Sequence, residues 1–224
     1  MPVQLYANYV SQPCRALLWV LKVKDADFEL VMTAPGSADL KSESFLAMNP
    51  NGLVPVLKDG DFALFESNAI FVYVAEKFGW TDLYPTDPLV RAKINEFLHW
   101  HHTNSRLFTL KIVRPVLGQK LGRELSAEDL IAIEKKDEVI DRISSLMEKF
   151  LTKDYIARTD APTIADYIAY CEYDQLEMMG TDFSKYPKVH AWLARMKDIP
   201  YHDEVRETLG GFLKAIGMSA AAKP

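Results

Sequence analysis

Apolar and polar residues alternate in Val3-Gln4-Leu5-Tyr6-Ala7, the period of a strand with one buried face. Ser11-Gln12-Pro13-Cys14-Arg15 follows, and then the run Ala16-Leu17-Leu18-Trp19-Val20-Leu21, which predicts a helix packed on a sheet. Pro13 fits the first turn of that helix, where no backbone N–H is required. Phe28 to Met32 predicts a second strand and Leu40 to Met48 a short helix. Val54-Pro55-Val56-Leu57 and Phe62-Ala63-Leu64-Phe65 flank Lys58-Asp59-Gly60-Asp61, the pattern of an antiparallel hairpin, because Asp-Gly supplies the positive φ of such turns. Ser67 then opens a helix with Ile70, Tyr73, Val74 and Phe78 at helical spacing, and Gly79 stops it. The predicted order is β-α-β-α-β-β-α.

From Trp80 to Asp87 the residues have the turn chemistry of a linker, and beyond them the pattern is helical. Ile140, Ile143, Met147 and Phe150 mark one amphipathic face within a segment from about Ala127 to Leu151. Tyr186 to Met196 and Val205 to Leu213 predict further helices, and Thr163-Ile164-Ala165-Asp166 has the form of a capping box. The expected division is residues 1–79, a linker at 80–88, a helical domain at 89–216 and a short tail at 217–224.

Composition narrows the class. The 224 residues are 49% hydrophobic and 25% charged, enough for one large core or two modest ones. A formal net charge of −5 argues against nucleic acid as the main partner, since phosphate binding rests on clustered Lys and Arg. No apolar run approaches the roughly 20 residues of a membrane helix, and Met1-Pro2-Val3-Gln4 lacks the features of a secretory signal, so a cytoplasmic location is expected. Cys14 and Cys171 stand far apart, which offers no disulfide framework and no metal-spaced pair.

A strand, Ser-x-Pro-Cys and a helix, with Val54-Pro55 later at the start of a strand, has the local logic of a thioredoxin-like fold. Ser11 lies beside the positive end of a helix, where a thiolate is stabilised. A cis Val54-Pro55 bond turns the Val54 N–H and C=O outward, free to pair with an extended peptide. Ser67 offers a hydroxyl and helix-start N–H groups to a carboxylate, and Glu66 can accept from an ammonium. Together these features suit a ligand with an α-amino acid head, a peptide middle and a thiol.

Leu5-Tyr6, Ser11 to Arg15, Asn49-Pro50, Val54-Pro55, Leu57 to Phe62 and Glu66-Ser67 resemble the glutathione transferases, particularly the theta class and its bacterial and insect relatives. In the helical half the resemblance runs through Trp100, Arg106 and the Thr163 to Asp166 cap. It implies a thioredoxin-like α/β amino-terminal domain, an all-α helical bundle, a homodimer, and glutathione as co-substrate with no cofactor or metal. It further implies that Ser11 stabilises the glutathione thiolate for attack on an electrophilic small molecule. By the same resemblance Val54 pairs with the cysteine residue of glutathione, Glu66 and Ser67 hold its γ-glutamyl end, and Lys41 and Leu53 its glycine end. Thr103 and Arg106 supply polar contacts from the helical domain. Two positions depart from the pattern: Leu40 stands where relatives often have His, and Thr103 where some have Asp.

Other assignments compete with these. Tyr6 is the alternative hydroxyl, since other transferase classes use a Tyr near the end of the first strand. Cys14 has no redox partner because Ser11 occupies the first cysteine position, and a buried helix residue is expected. His99 and His102 stand at i, i+3 but lack a matching acidic ligand, so surface or cleft histidines are expected at 99, 101 and 102. Arg15 is expected in an ion pair, and Phe108, Met178 and Phe212 are candidates for an electrophile pocket. The same site could instead serve a glutathione-dependent peroxidase or dehalogenase, and the same fold a non-catalytic carrier or assembly module.

Overall fold

Four strands form one mixed sheet: β1 (Val3–Ala7), β2 (Phe28–Met32), β3 (Val56–Asp59) and β4 (Phe62–Phe65). The computed structural model describes residues 2–218. The strand order is β2-β1-β3-β4, with β1 parallel to β2 and antiparallel to β3, as in a thioredoxin-like sheet. Parallel pairing requires a crossover, supplied by α1 (Gln12–Val23). The hairpin closes at Gly60, whose φ of +60 meets the requirement read from Asp59-Gly60.

The region expected as one helix from Leu40 to Met48 is two pieces. A 3-10 turn, Ala38–Lys41, ends at Ser42, whose side chain caps α2 (Glu43–Met48) by accepting from the Phe45 N–H. After β4 the chain enters α3 (Ser67–Lys77) and crosses to α4 (Pro88–Thr103), capped by Asp87. A π-helical turn, Phe108–Val113, continues into α5 (Arg114–Lys120). The segment expected as one helix from Ala127 to Leu151 divides into α6 (Ala127–Glu134) and α7 (Lys136–Phe150), because Lys135 leaves helical geometry at φ −93, ψ 12. The remaining helices are α8 (Ile164–Met178), α9 (Pro187–Lys197) and α10 (His202–Ala215). The tail expected at 217–224 lies mostly outside the described residues.

Among the described residues all strands thus fall within residues 3–65, and the regular elements that follow are helices. The two halves are not separately cored: one apolar cluster runs from Leu5, Leu17 and Trp19 through Phe97 to Tyr167, Tyr173 and Trp192. Its centre is α8, in which every residue from Ile164 to Leu176 is buried. Trp19 of α1 meets Tyr167 edge-on at 4.9 Å and donates its indole N–H to the Pro200 carbonyl at 2.7 Å. Among the described residues Arg15 forms no ion pair; it is fully buried and its Nη1 and Nη2 donate to the carbonyls of Tyr9, Val10 and Cys171, while its Nε has no partner. Carbonyl dipoles take the place of the expected carboxylate.

The Thr163 to Asp166 capping box closes. The Asp166 carboxylate, wholly buried, accepts from the Thr163 N–H at 2.8 Å and hydroxyl at 3.0 Å, the Ile156 N–H at 3.0 Å and the Trp192 indole at 3.0 Å. Burial raises its pKa, and those donors oppose the rise. Thr163→Ala is expected to cost about 1 kcal/mol, the ordinary worth of a cap. Asp166→Ala is expected to cost about 3 kcal/mol or more by orphaning several buried donors. Urea denaturation of both variants checks the ranking; equal losses would place Asp166 outside the core network.

Candidate functional site

Ser11 is the N-cap residue of α1, with extended backbone (φ −76, ψ 122), and its hydroxyl makes no capping bond. Its N–H is taken by the Asn8 carbonyl at 3.1 Å, which fixes the turn between β1 and the helix. The half-buried side chain lies against the Cys14 thiol. Cys14 itself has no exposure, and burial pushes its pKa up to about 11, partly opposed by the hydrogen bond with Ser11. A thiol of that kind stays protonated and packs as an apolar group, as expected for a buried helix residue.

Two adjoining hollows meet beside this turn. The first is lined by Asn49, Asn51, Glu66, Ser67, His101 and His102. The second is lined by Ser11, Gln12, Leu40, Thr109, Arg114 and Leu117 among others. Pro13, Leu53, Val54 and Arg106 border both and form the wall between them. Val54 precedes Pro55 through a cis peptide bond, and neither its N–H nor its carbonyl is hydrogen-bonded to the described residues. An extended peptide could therefore use both.

Glu66 occupies the N-cap of α3 at φ +71, ψ 108, a strained conformation for a residue with a side chain. Ser67 is the first helical residue and its hydroxyl is not spent on capping, so both side chains face the first hollow. The start of α3 consequently presents an acceptor and a hydroxyl side by side, together with unpaired N–H groups of the first turn.

Arg106 is positioned by buried partners. Its Nη1 donates to the Gln12 Oε1 at 2.8 Å and the Glu172 Oε1 at 3.1 Å, which leaves Nε and Nη2 for a ligand. The other Glu172 oxygen accepts from the Thr109 hydroxyl at 2.6 Å and the Gln175 amide at 2.8 Å. Gln12 in turn donates to the Ile168 carbonyl at 3.0 Å. Burial raises the Glu172 pKa, while the Arg106 charge and the Thr109 hydrogen bond act against it. The result is one charge pair in which the Glu172 carboxylate is hydrogen-bonded through both oxygens and Arg106 stands in the wall of both hollows.

The remaining sequence candidates divide. Lys41 and Thr103 are exposed and line neither hollow; the Thr103 hydroxyl accepts from the Asn104 amide at 3.2 Å. Tyr6 lies on another side of the sheet, edge-on to Phe45 at 6.0 Å in a separate hollow. Phe108, Met178 and Phe212 also line neither: Phe108 is wholly buried against Tyr173 at 5.0 Å. Sequence reasoning passed over Asn49, Asn51, Thr109, Arg114 and Gln175 as site residues. Asn49 could have been found from Asn49-Pro50, because its side chain ties the approach to Val54 by donating to the Leu53 carbonyl at 2.7 Å.

The three histidines separate as well. His99 and His102 are exposed, and His102 faces the buried Asn68 amide at 3.2 Å; His101 is buried with its Nδ1 2.9 Å from the Ser105 hydroxyl. Burial, then the charge of Arg106, lowers the His101 pKa to about 3. Glu172 stands 4.0 Å from its Nε2 but is already engaged by Arg106, so desolvation wins. The folded pKa lies below the unfolded value near 6.5. The neutral imidazole therefore contributes stability that is complete above about pH 6.5 and is lost as pH falls toward 3. We expect the stability of His101→Gln to decline less steeply between pH 6.5 and 4.5 than that of the wild type, by up to about 1.4 kcal/mol per pH unit. Parallel denaturation profiles would show that His101 is protonated in the fold.

With this geometry in place, comparison with known proteins identifies the class. Residues 1–76 match the glutathione S-transferase N-terminal domain and residues 107–200 the glutathione S-transferase C-terminal domain. The chain belongs to the glutathione S-transferase family. It is 32% identical to glutathione S-transferase T1 of Arabidopsis thaliana, over all of this chain and 97% of that protein. It is likewise 32% identical to glutathione S-transferase T2 of the same plant, of which it spans only 40% of the length. Among solved structures it resembles human glutathione transferase theta-2 in complex with glutathione and an unknown ligand, with a TM-score of 0.85, 29% identity and coverage of 99% and 94% of the two chains.

Proposed function

We propose that this chain joins the thiolate of glutathione to electrophilic small molecules, with Ser11 as the catalytic residue. The observation that carries the reading is the Ser11 hydroxyl, free of capping duty, on a hollow that adjoins the Glu66-Ser67 hollow across Val54. The tripeptide lies across that wall: its γ-glutamyl amine and carboxylate at Glu66 and Ser67, its cysteine residue paired with Val54, its glycine beside Leu53. Lys41 supplies positive potential to the glycine carboxylate from the exposed end of the 3-10 turn. Thr103 has no place in this arrangement. Arg106, at the wall itself, adds a fixed positive charge near the sulfur.

A free thiol with pKa about 8.5 is only a few per cent ionised at neutral pH. One charge-assisted hydrogen bond and a helix N-terminus lower that value by about one to two units. The thiolate then attacks the electrophilic carbon held in the second hollow, and orientation of the two reactants supplies the rest of the rate. We also propose a homodimer, supported by the exposed apolar surfaces of Phe62 (48%) and Leu89 (77%), which sedimentation would measure directly.

Ser11→Ala is expected to reduce kcat about 100-fold with little change in glutathione affinity, as for removal of one donor to a reacting anion. Ultraviolet titration of the glutathione complex should show the bound thiol pKa rising toward its free value in this variant. Unchanged turnover would remove Ser11 from catalysis. Glu66→Ala is expected to weaken glutathione about tenfold, seen by calorimetry, with a smaller effect on the rate at saturation; unaltered affinity would place the γ-glutamyl end elsewhere. Parallel assays with organic hydroperoxides distinguish conjugation from reduction on the same thiolate.

A further inference from the structure

The second hollow is cationic although the chain carries a net charge of −5. Arg106 and Arg114 both line it, and among the described residues no acidic side chain does. Arg106 is neutralised from behind by Glu172 at 3.1 Å. Arg114 has no hydrogen bond or ion pair through its side chain to any described residue. Apolar surface from Leu40, Val113 and Leu117 lies beside it. Burial of part of the side chain and the like charge of Arg106 lower the Arg114 pKa, and the charge of Glu172, already paired with Arg106, opposes them.

We propose that Arg114 is a specificity-determining residue that receives a carboxylate or sulfonate on the non-reacting end of the electrophile. The inference rests on the conjugation reading given above. Arg114 lies eight residues after Arg106, about two turns on along a helical run that includes the π-helical turn Phe108–Val113. Arg106 thus stands at the wall where sulfur reacts, and the more exposed Arg114 lies farther along the same hollow. An electrophile with a flat apolar body and an anionic tail fits that spacing: the body rests on Val113 and Leu117, and the planar guanidinium takes the tail through paired N–H bonds. A neutral electrophile would displace water from that cation without offering a counter-charge in its place, so the site distinguishes charged from uncharged substrates.

The test compares 4-(chloromethyl)benzoate with its uncharged counterpart 4-methylbenzyl chloride at saturating glutathione. In each, the sulfur forms a bond to the benzylic carbon and chloride leaves with the bonding electron pair. The readout is the ratio of kcat/KM for the two halides, after subtraction of the uncatalysed rate; this ratio is insensitive to the fraction of enzyme that folds. Arg114→Gln is expected to lower the ratio about tenfold, chiefly through KM for the benzoate. Arg114→Lys should retain part of it, and the wild-type ratio should shrink with added salt because the site is open to solvent. A ratio unchanged in Arg114→Gln overturns the inference and leaves conjugation standing. Failure of the wild type to conjugate either halide removes both.

Discussion

One buried carboxylate ties the site to the rest of the molecule. Glu172 sits inside α8 with no exposure, and isolated there its charge would be costly enough to unfold the region or force the group neutral. It is kept by partners from elsewhere: the Arg106 guanidinium, the Thr109 hydroxyl and the Gln175 amide. Removing Arg106 would leave a buried charge without compensation, and removing Thr109 or Gln175 would take a donor from the other carboxylate oxygen, whereas the intact set holds each member in place. Arg106 is consequently fixed before any ligand arrives.

The same seam joins the two halves of the chain. Gln12, one residue beyond the Ser11 cap, bonds both Arg106 and the Ile168 carbonyl, and Arg15, one turn further on, reaches the Cys171 carbonyl. Helix α1 is therefore clamped to α8 by polar contacts at the end where the Ser11 hydroxyl is displayed and by Trp19 packing farther along. A hydroxyl on a mobile loop would lose part of its effect to entropy; here the backbone beneath it is held on both sides. The position of the Ser11 hydroxyl is thus a consequence of core packing between α1 and α8.

The two hollows divide the electrostatic work. The first offers acceptors, hydroxyls and backbone groups suited to a zwitterionic peptide. The second has two arginines and no acidic side chain among its described lining residues, with Glu172 set behind it. Pro13, Leu53, Val54 and Arg106 form their common wall, across which the proposed reaction would take place. Glu66, on the first hollow, keeps a positive φ that costs of order 1–3 kcal/mol and is held between β4 and α3.

Much of the frame was written in short-range pattern. Alternation marked the strands, Asp59-Gly60 marked the hairpin, and Thr163 to Asp166 marked the start of α8, because each depends on residues within a few positions of one another. Ser11, Val54, Glu66 and Ser67 were legible for the same reason: each stands at the junction of two elements. Tertiary structure alone decided that Glu172 is buried, that Arg15 binds carbonyls, that Arg114 enters the hollow and that Lys41 and Thr103 stay outside. In sequence an acidic residue in a helix reads as solvated. Its burial is set by partners such as Arg106, which lies 66 positions away, and the α1–α8 contacts span 156. Local pattern carries backbone preference, whereas the environment of a charge is the sum of everything packed around it, and that sum exists only once the chain has closed on itself.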